Sequence, residues 1–181
     1  TVGRGGAGQD LSGLGLPVHE VQRGGEATWH GPGQCVAYPI LHLSEDQRDL
    51  HRYLRDLEEV VIGVLSEFQL EGVRREEGTG VWLGEKKIAS VGVGVRHWVT
   101  FHGAAINVHT DLDVFSGFRP CGLDPGVMTR LADHADLPEG NLLVEVLFVK
   151  HLCEVFGLEL PPIPEPEVPD DGFPGLPLHP S

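Results

Sequence analysis

The sequence predicts an α+β fold in which a mixed or antiparallel β-sheet is covered by helices. Short β-branched runs outnumber helical segments and cluster together, and only two segments show sustained three- and four-residue apolar spacing. Strands and helices do not alternate regularly, as they would in a doubly wound fold. The 181 residues suit one domain with its own core.

Two segments carry helical periodicity. The first begins at Ser44, where Ser-Glu-Asp-Gln is a capping box, and it is expected to end at Gly72. The second covers residues 141–156 and has Gly157 as its stop. Both helices are expected to cover the sheet.

Five β-branched runs predict the strands, which cover residues 18–22, 35–43, 79–83, 87–95 and 98–108. In residues 88–95 side chains alternate with glycine, which indicates a strand that another backbone or a ligand approaches closely.

The chain is predicted to divide into a folded body and a tail. Residues 1–160 form the body, a single domain. From Pro161 the sequence reads PPIPEPEVPDDGFPGLPLHPS, which is rich in proline and carries four carboxylates without Lys or Arg. Residues 161–181 are therefore predicted to be disordered.

The composition argues against several function classes. A formal charge of −14, from 27 acidic and 13 basic residues, would repel nucleic acid. No segment is apolar enough to cross a bilayer, and the N-terminus lacks the order of a secretory signal. The three cysteines show no CxxC spacing, and His102 and His109 match no metal-ligand pattern. We therefore expect free thiols in the cytoplasm, no metal, no nucleic acid and no membrane.

The segment 23–34, RGGEATWHGPGQ, is the first candidate for a site. Its glycines would let backbone N–H groups approach a ligand, while Arg23 and His30 could supply charge or handle protons. It matches neither nucleotide-binding glycine motif. The alternative is a long surface loop.

Adjacent lysines form the second candidate. Lys86 and Lys87 open a glycine-containing strand, so their side chains should point to opposite faces and at most one can face a site. Lys87 leads the less polar run, and desolvation would lower its pKa toward the range used in proton transfer. The alternative is a solvated hairpin end.

The cysteines differ in their surroundings. Cys35 and Cys153 lie in apolar segments and are expected to be core residues. Cys121 lies between Pro120 and Gly122, which could leave it on a turn with free backbone N–H groups around its sulfur. Near a cation such a thiol could act as a nucleophile. The alternative is a loop cysteine without a role.

Four motifs together resemble the lipoyl(octanoyl) transferase family. They are, in order, RGGEATWHGPGQCVAYPI, GVWLGEKKIASVGVGV, TFHGAAINVHTDL and FSGFRPCGL. The resemblance extends from about Gly3 to Leu131, and the family is similar in fold to lipoate–protein and biotin–protein ligases.

The resemblance implies catalytic roles for Cys121, as the acyl-thioester nucleophile, and for Lys87, as the lysine that lowers the pKa of this thiol. It implies that three segments line the acyl site. Their residues are Arg23, Gly24, Gly25, Glu26, Ala27, Thr28, Trp29 and His30; Ser90, Val91 and Gly92; and Gly103, Ala104 and Ala105.

The reaction implied by the resemblance is a two-step transfer. Octanoyl-acyl carrier protein would acylate Cys121, and a lysine of a lipoyl domain would then attack the thioester. The acceptors would be the lipoyl domains of 2-oxoacid dehydrogenases and the glycine cleavage H protein. No cofactor is implied. Backbone N–H groups of the glycine-rich segments are candidates for oxyanion donors, and His30 or His102 for an assisting base.

Two other functions remain open. One is an ATP-dependent lipoate–protein ligase, although HGPGQ and PCG argue against it. The other is a non-catalytic acyl- or protein-binding module of the same fold. The opening TVGR also resembles a TLGR that family members reach only after a helix and strands, so an N-terminal portion is expected to be absent. Candidates for a basic docking rim are Arg74, Arg75, Lys86 and Arg96, and the alternative is that Arg74 and Arg75 lie in a solvated turn after the first helix.

Overall fold

A computed structural model describes residues 1–6, 11 and 15–160. Its five strands form one antiparallel sheet in the order β1-β5-β4-β3-β2. The strands are β1 (Gln34–Ala37), β2 (Gly72–Val73), β3 (Gly80–Leu83), β4 (Lys86–Arg96) and β5 (Val99–Asn107), and the helices are α1 (Leu50–Ser66) and α2 (Leu142–Phe156). The predicted α+β class is confirmed. The tail at 161–181 lies outside the described residues.

The main core lies where α1 packs against α2 and against β2 to β5. The inner face of α1 is buried through Tyr53, Leu57, Val60, Val61, Val64 and Leu65. The sheet contributes Val81, Ile88, Ala89, Val91, Val93 and Ile106 to the same cluster. Both helices thus stabilise the long β4–β5 hairpin, which carries much of the site described below.

A β-bulge near the start of β4 changes which side chains share a face. Val81 pairs with Ala89 but Trp82 pairs with Lys87, so Ile88 is one residue extra. Ile88 and Ala89 are both fully buried in the core cluster. The extra residue reverses the alternation and turns Lys87 to the face away from Ala89.

The first helix starts later and ends earlier than predicted. The Ser44 capping box caps a 3₁₀ turn at Glu45–Gln47, whereas Asp49 caps α1 by accepting hydrogen bonds from two backbone N–H groups of its first turn. After Ser66 the chain turns at Gln69, whose φ is +60°, and Gly72 opens β2 instead of ending the helix. The predicted limits of α2 are confirmed, with Gly157 in the left-handed conformation at its C-cap.

Two predicted strands are also corrected. Residues 18–22 form no strand, and only an isolated bridge joins Glu20 to Val2. The predicted strand at 35–43 stops at Ala37 because Pro39 cannot donate to the ladder. Beyond Pro39 the chain still follows β5, since Leu41 and Thr100 exchange hydrogen bonds.

Candidate active site

A cleft opens over the β4–β5 hairpin beside the glycine-rich loop. Eleven of the fourteen acyl-site residues expected from the sequence border it, together with Cys121, Tyr38 and His102. Those eleven are Arg23, Gly24, Gly25, Thr28, His30, Ser90, Val91, Gly92, Gly103, Ala104 and Ala105. The cleft therefore joins three of the four sequence motifs to the cysteine of the last one.

Three expected residues lie outside this cleft. Ala27 is buried, and its carbonyl accepts the Cys121 N–H. Trp29 packs edge-on against Phe115 and belongs to a small apolar cluster beneath the loop. Glu26 instead borders a second cleft, which also reaches Cys121. Ala27 and Trp29 thus support the loop and do not border this cleft.

Cys121 occupies a tight turn formed by Pro120–Gly122, with φ 52° and ψ 34°. The backbone N–H groups that sequence reasoning left free around its sulfur are occupied. Cys121 N–H donates to Ala27 at 2.9 Å, Gly122 N–H to Arg119 at 3.2 Å and Leu123 N–H to Pro120 at 3.0 Å. These groups hold the turn in place and are not available to a substrate.

Lys87 is the main cationic neighbour that the sheet contributes to Cys121. Its side chain is buried, its Nζ donates to the Thr79 carbonyl at 2.9 Å, and it lies 5.6 Å from the centre of the Trp82 ring. Burial lowers the pKa of Lys87, and the negative charges of Cys121 and Glu58 oppose this. Lys86 is exposed and donates to the Gly126 carbonyl. The expected opposite orientation of the two lysines is confirmed.

Arg23 brings a second cation to the same cysteine. Its guanidinium is buried and donates to the carbonyls of Gly24 and Thr1, each at 3.0 Å. Among the described residues its buried Nε has no hydrogen-bond partner. Burial lowers the pKa of Arg23, whereas the charges of Cys121 and Tyr38 raise it. The guanidinium remains charged near neutrality.

Two histidines border the cleft, and burial lowers the pKa of each, which favours neutral imidazoles at pH 7. Tyr38 lies between them and contacts both rings edge-on. His30 Nδ1 is 3.1 Å from Gln34 Oε1, and His102 adopts a φ of +59° within β5.

A chain of amide hydrogen bonds sets the tautomer of His30. Asn107 Nδ2 donates to the Thr129 carbonyl, so its Oδ1 accepts from Gln34 Nε2 at 2.9 Å. Gln34 Oε1 then faces His30 and can only accept. The imidazole proton is therefore on Nδ1, which leaves Nε2 as a free acceptor.

Three further residues contribute to the site but were not predicted from the sequence, namely Tyr38, Thr79 and Glu58. Tyr38 lies within the first quoted motif and could have been found from it, whereas nothing local distinguishes Thr79 or Glu58. The expected basic rim is also weakened. Arg74 forms ion pairs with Glu58 and Glu59, and Lys86 is hydrogen-bonded to a backbone carbonyl.

Comparisons with known proteins show the family of the chain. The family model for the lipoyl protein ligase A/B catalytic domain matches residues 7–151. An octanoyltransferase of Geobacter metallireducens is 50% identical over 133 residues, which cover 73% of this chain and 62% of that protein. An octanoyltransferase of Nostoc sp. is 44% identical over 153 residues, covering 79% and 64%. The chain thus spans less than two thirds of the length of these two relatives.

Solved structures show the same fold. Lipoate–protein ligase A bound with ATP superposes with a TM-score of 0.63 at 20% identity, covering 83% of this chain and 63% of that one. Biotin protein ligase from Aquifex aeolicus gives 0.55 at 17% identity, covering 69% and 53%. With the fold, the motifs and the family model in agreement, the chain belongs to the lipoyl protein ligase A/B catalytic domain family.

Proposed function

We propose that this chain is the catalytic part of an octanoyltransferase that uses Cys121 as its nucleophile. The acyl donor is octanoyl-acyl carrier protein, and the acceptor is a lysine of a lipoyl domain, in the cytoplasm. The observation that carries the proposal is the position of Cys121, which borders the cleft and interacts with two buried cations, Lys87 and Arg23. Nearby positive charge favours a thiolate.

In the first step the Cys121 thiolate attacks the thioester carbonyl of the donor. A new carbon–sulfur bond forms, the bond to the carrier's thiol breaks, and the departing thiolate takes a proton from the Lys87 ammonium. The transient oxyanion needs donors. Cys121 and Gly24 have already committed their N–H groups to backbone carbonyls, so the donors must come from other groups that border the cleft.

In the second step the neutral ε-amine of the acceptor lysine attacks the acyl-enzyme. A carbon–nitrogen bond forms, Cys121 leaves as a thiolate, and one proton must leave the nitrogen. His30 is suited to take it because its Nε2 has no hydrogen-bond partner among the described residues and burial favours the neutral imidazole. His30 then releases this proton to solvent, and the neutral Lys87 amine regains a proton from solvent, so both groups return to their starting state. His102 lacks this fixed tautomer. An amide replaces a thioester, so no ATP is required.

Intact-mass spectrometry after mixing the chain with octanoyl-acyl carrier protein tests the proposal. We expect a mass increase of one octanoyl group without ATP, its loss on adding a lipoyl domain, and no increase in Cys121→Ser. Cys35→Ser is the matched control and should still be acylated. A requirement for ATP would indicate a ligase, and binding without an acyl adduct would indicate a non-catalytic module.

A further inference from the structure

Glu58 is an unusual residue for the inner face of a helix. It lies on α1 among Leu57 and Val61 and is only 1% exposed. A buried carboxylate is costly unless charges and hydrogen-bond donors surround it. Arg55 Nη1 lies 2.7 Å from its Oε2 and Arg74 Nε lies 3.3 Å from the same oxygen. These two arginines account for one carboxylate oxygen only.

The other oxygen, Oε1, accepts the backbone N–H of Gly80 at 2.8 Å. This N–H belongs to the same peptide unit as the Thr79 carbonyl, which accepts the Lys87 ammonium at 2.9 Å. In a trans peptide the N–H and the C=O point in opposite directions. Glu58 and Lys87 therefore bind opposite sides of one peptide group.

The peptide has little freedom to move away. Gly80 has a φ of +139°, and a Cβ at this position would collide with the Ala89 carbonyl and the Lys87 side chain. Gly78 approaches Lys87 Nζ closely as well, since a Cβ there would lie 3.3 Å from it. Only glycine fits this close approach of backbone to lysine.

Charged groups surround both Glu58 and Lys87. Lys87 interacts with Cys121 and Glu58, whereas Glu58 faces Arg55, Arg74 and Lys87. The carboxylate thus acts on Lys87 in addition to the cysteine. It acts both through the shared peptide, whose dipole it polarises, and through its negative charge.

We propose that Glu58 is a positioning residue that holds Lys87 against Cys121 and keeps this lysine in its ammonium form. The inference rests on the proposed function, in which the Lys87 ammonium stabilises the thiolate and supplies a proton. Glu58 touches neither substrate nor cysteine and acts only through Lys87.

Lysine titration by NMR tests this directly, because the chain has three lysines, Lys86, Lys87 and Lys150. With ¹³Cε-labelled lysine, the three resonances can be assigned from Lys86→Arg and Lys150→Arg. Glu58→Gln keeps an acceptor for the Gly80 N–H but removes the charge. We expect it to lower the pKa of Lys87 by about one unit and to leave the other two lysines unchanged. Repeating the titration in a Cys121→Ser background removes the negative charge of Cys121, which would otherwise also raise the pKa of Lys87.

Glu59→Gln is the matched control. Glu59 is the next residue of α1, its side chain is 54% exposed, and it also pairs with Arg74. We expect this variant to leave the Lys87 titration unchanged. If both variants shift it equally, loss of the Arg74 ion pairs explains the effect and the proposal is wrong.

A folded Glu58→Gln protein with the wild-type Lys87 titration would also overturn the proposal. If Glu58→Gln does not fold, Glu58→Asp is the second variant. It keeps the negative charge, but its side chain is one methylene shorter, so the carboxylate lies farther from the Gly80 N–H. It should lower the pKa of Lys87 by a smaller, measurable amount, and an unchanged pKa would overturn the proposal again.

The titration needs no acyl donor, so the two proposals can fail separately. If Glu58→Gln lowers the pKa of Lys87 but the wild type forms no acyl-enzyme, the proposed function fails and the positioning role of Glu58 stands. If the wild type transfers the acyl group but Glu58→Gln leaves the pKa of Lys87 unchanged, only the positioning role of Glu58 fails. If both hold, Glu58→Gln should move the alkaline limb of acyl-enzyme formation to lower pH.

Discussion

Cys121 is held in a left-handed backbone conformation that non-glycine residues rarely adopt. The conformation persists because its N–H is bonded to Ala27 and the turn is closed between Arg119 and Leu123. Residues at functional sites are often held in such strained conformations, which cost about 1–3 kcal/mol each. Here it places a thiol beside two cations that the sheet and the glycine-rich loop supply.

The three cysteines should differ sharply in reactivity. Burial raises the pKa of Cys35 to about 11, and Cys153 is buried on α2. At pH 8 we therefore expect iodoacetamide to label Cys121 at least tenfold faster than either of the others. Peptide mass spectrometry of a time course measures this, and prior labelling of Cys35 or Cys153 would contradict the assignment.

Lys87→Met should make Cys121 less reactive, since it keeps the aliphatic stem and removes the nearby positive charge. We expect the rate of Cys121 alkylation by iodoacetamide at pH 8 to fall about tenfold. Lys86→Met is the control, because the Lys86 side chain is exposed and turned to Gly126. An equal fall in both variants, or in Lys86→Met alone, would show that the wrong lysine is assigned.

His30→Gln should slow the second step more than the first. Because burial places the pKa of His30 below its ordinary value of about 6.5, the free base predominates above this pH and is lost as the pH falls further. We expect the acid limb of amide formation from isolated acyl-enzyme to lie below pH 6.5 and to disappear in the variant. His102→Gln tests the other imidazole, and loss of the limb there instead would reassign the base.

At the scale of elements, the residues at the turn of the β4–β5 hairpin suit contacts with other segments better than they suit the turn itself. Arg96 pairs with Val99, so His97 and Trp98 form a two-residue turn, and both have positive φ angles, 50° and 61°. Such turns favour Asn-Gly. Trp98 nevertheless packs against the core, lies 5.4 Å from the Arg48 guanidinium and accepts the Leu43 N–H.

Replacing only the exposed turn residue should therefore stabilise the fold. His97→Asn keeps a side chain that tolerates positive φ and is expected to increase the free energy of unfolding by about 0.5 kcal/mol. Trp98→Gly should decrease it, because lost packing outweighs the relief of strain. Urea unfolding of both variants measures the difference, and the reverse order would refute this explanation of the turn.

At the scale of the whole molecule, distant segments assemble one site. The glycine-rich loop supplies Arg23, the sheet supplies Lys87, and the Pro120–Gly122 turn supplies Cys121. Helix α1 contributes Glu58 from beneath. Among the described residues, no helix is long and apolar enough to cross a membrane.

The overall charge should make stability depend on salt. With a formal charge of −14, the acidic side chains repel one another and destabilise the folded state. Salt weakens this repulsion, because the Debye length falls from about 30 Å at 0.01 M to about 10 Å at 0.1 M. Exposed ion pairs weaken in the same range but contribute at most about 1 kcal/mol each. We expect Tm to rise by about 2–4 °C between 0.01 and 0.3 M NaCl.

Choline chloride serves as the control for this measurement, because it screens equally without a sodium ion. The same rise in both salts supports net repulsion as the cause. A fall in Tm with either salt would mean that ion pairs such as Arg74–Glu58 outweigh the net charge.

Features with local causes could be predicted from the sequence. Gly157 ends α2 because glycine readily adopts the left-handed conformation that closes a helix. Adjacent lysines of one strand face opposite sides whatever surrounds them. Proline and glycine place Cys121 in a turn. The four motifs identified the residues of the cleft because most of them approach it from short, glycine-rich segments.

Features decided by distant partners could not be predicted in this way. The capping box at Ser44 is locally sound, but packing of α1 selects Asp49 as the start. The bulge at Ile88 appears only when β3 and β4 pair, and it turns Lys87 away from the core face. Glu58 looks like any helix carboxylate in the sequence. Burial requires it to find partners. Arg55 is a neighbour on the same helix, but folding brings Arg74 and the Gly80 amide from outside α1. The sequence alone thus determined which groups could react, while the tertiary structure decided their orientation and charge, because both depend on contacts between segments far apart in the chain.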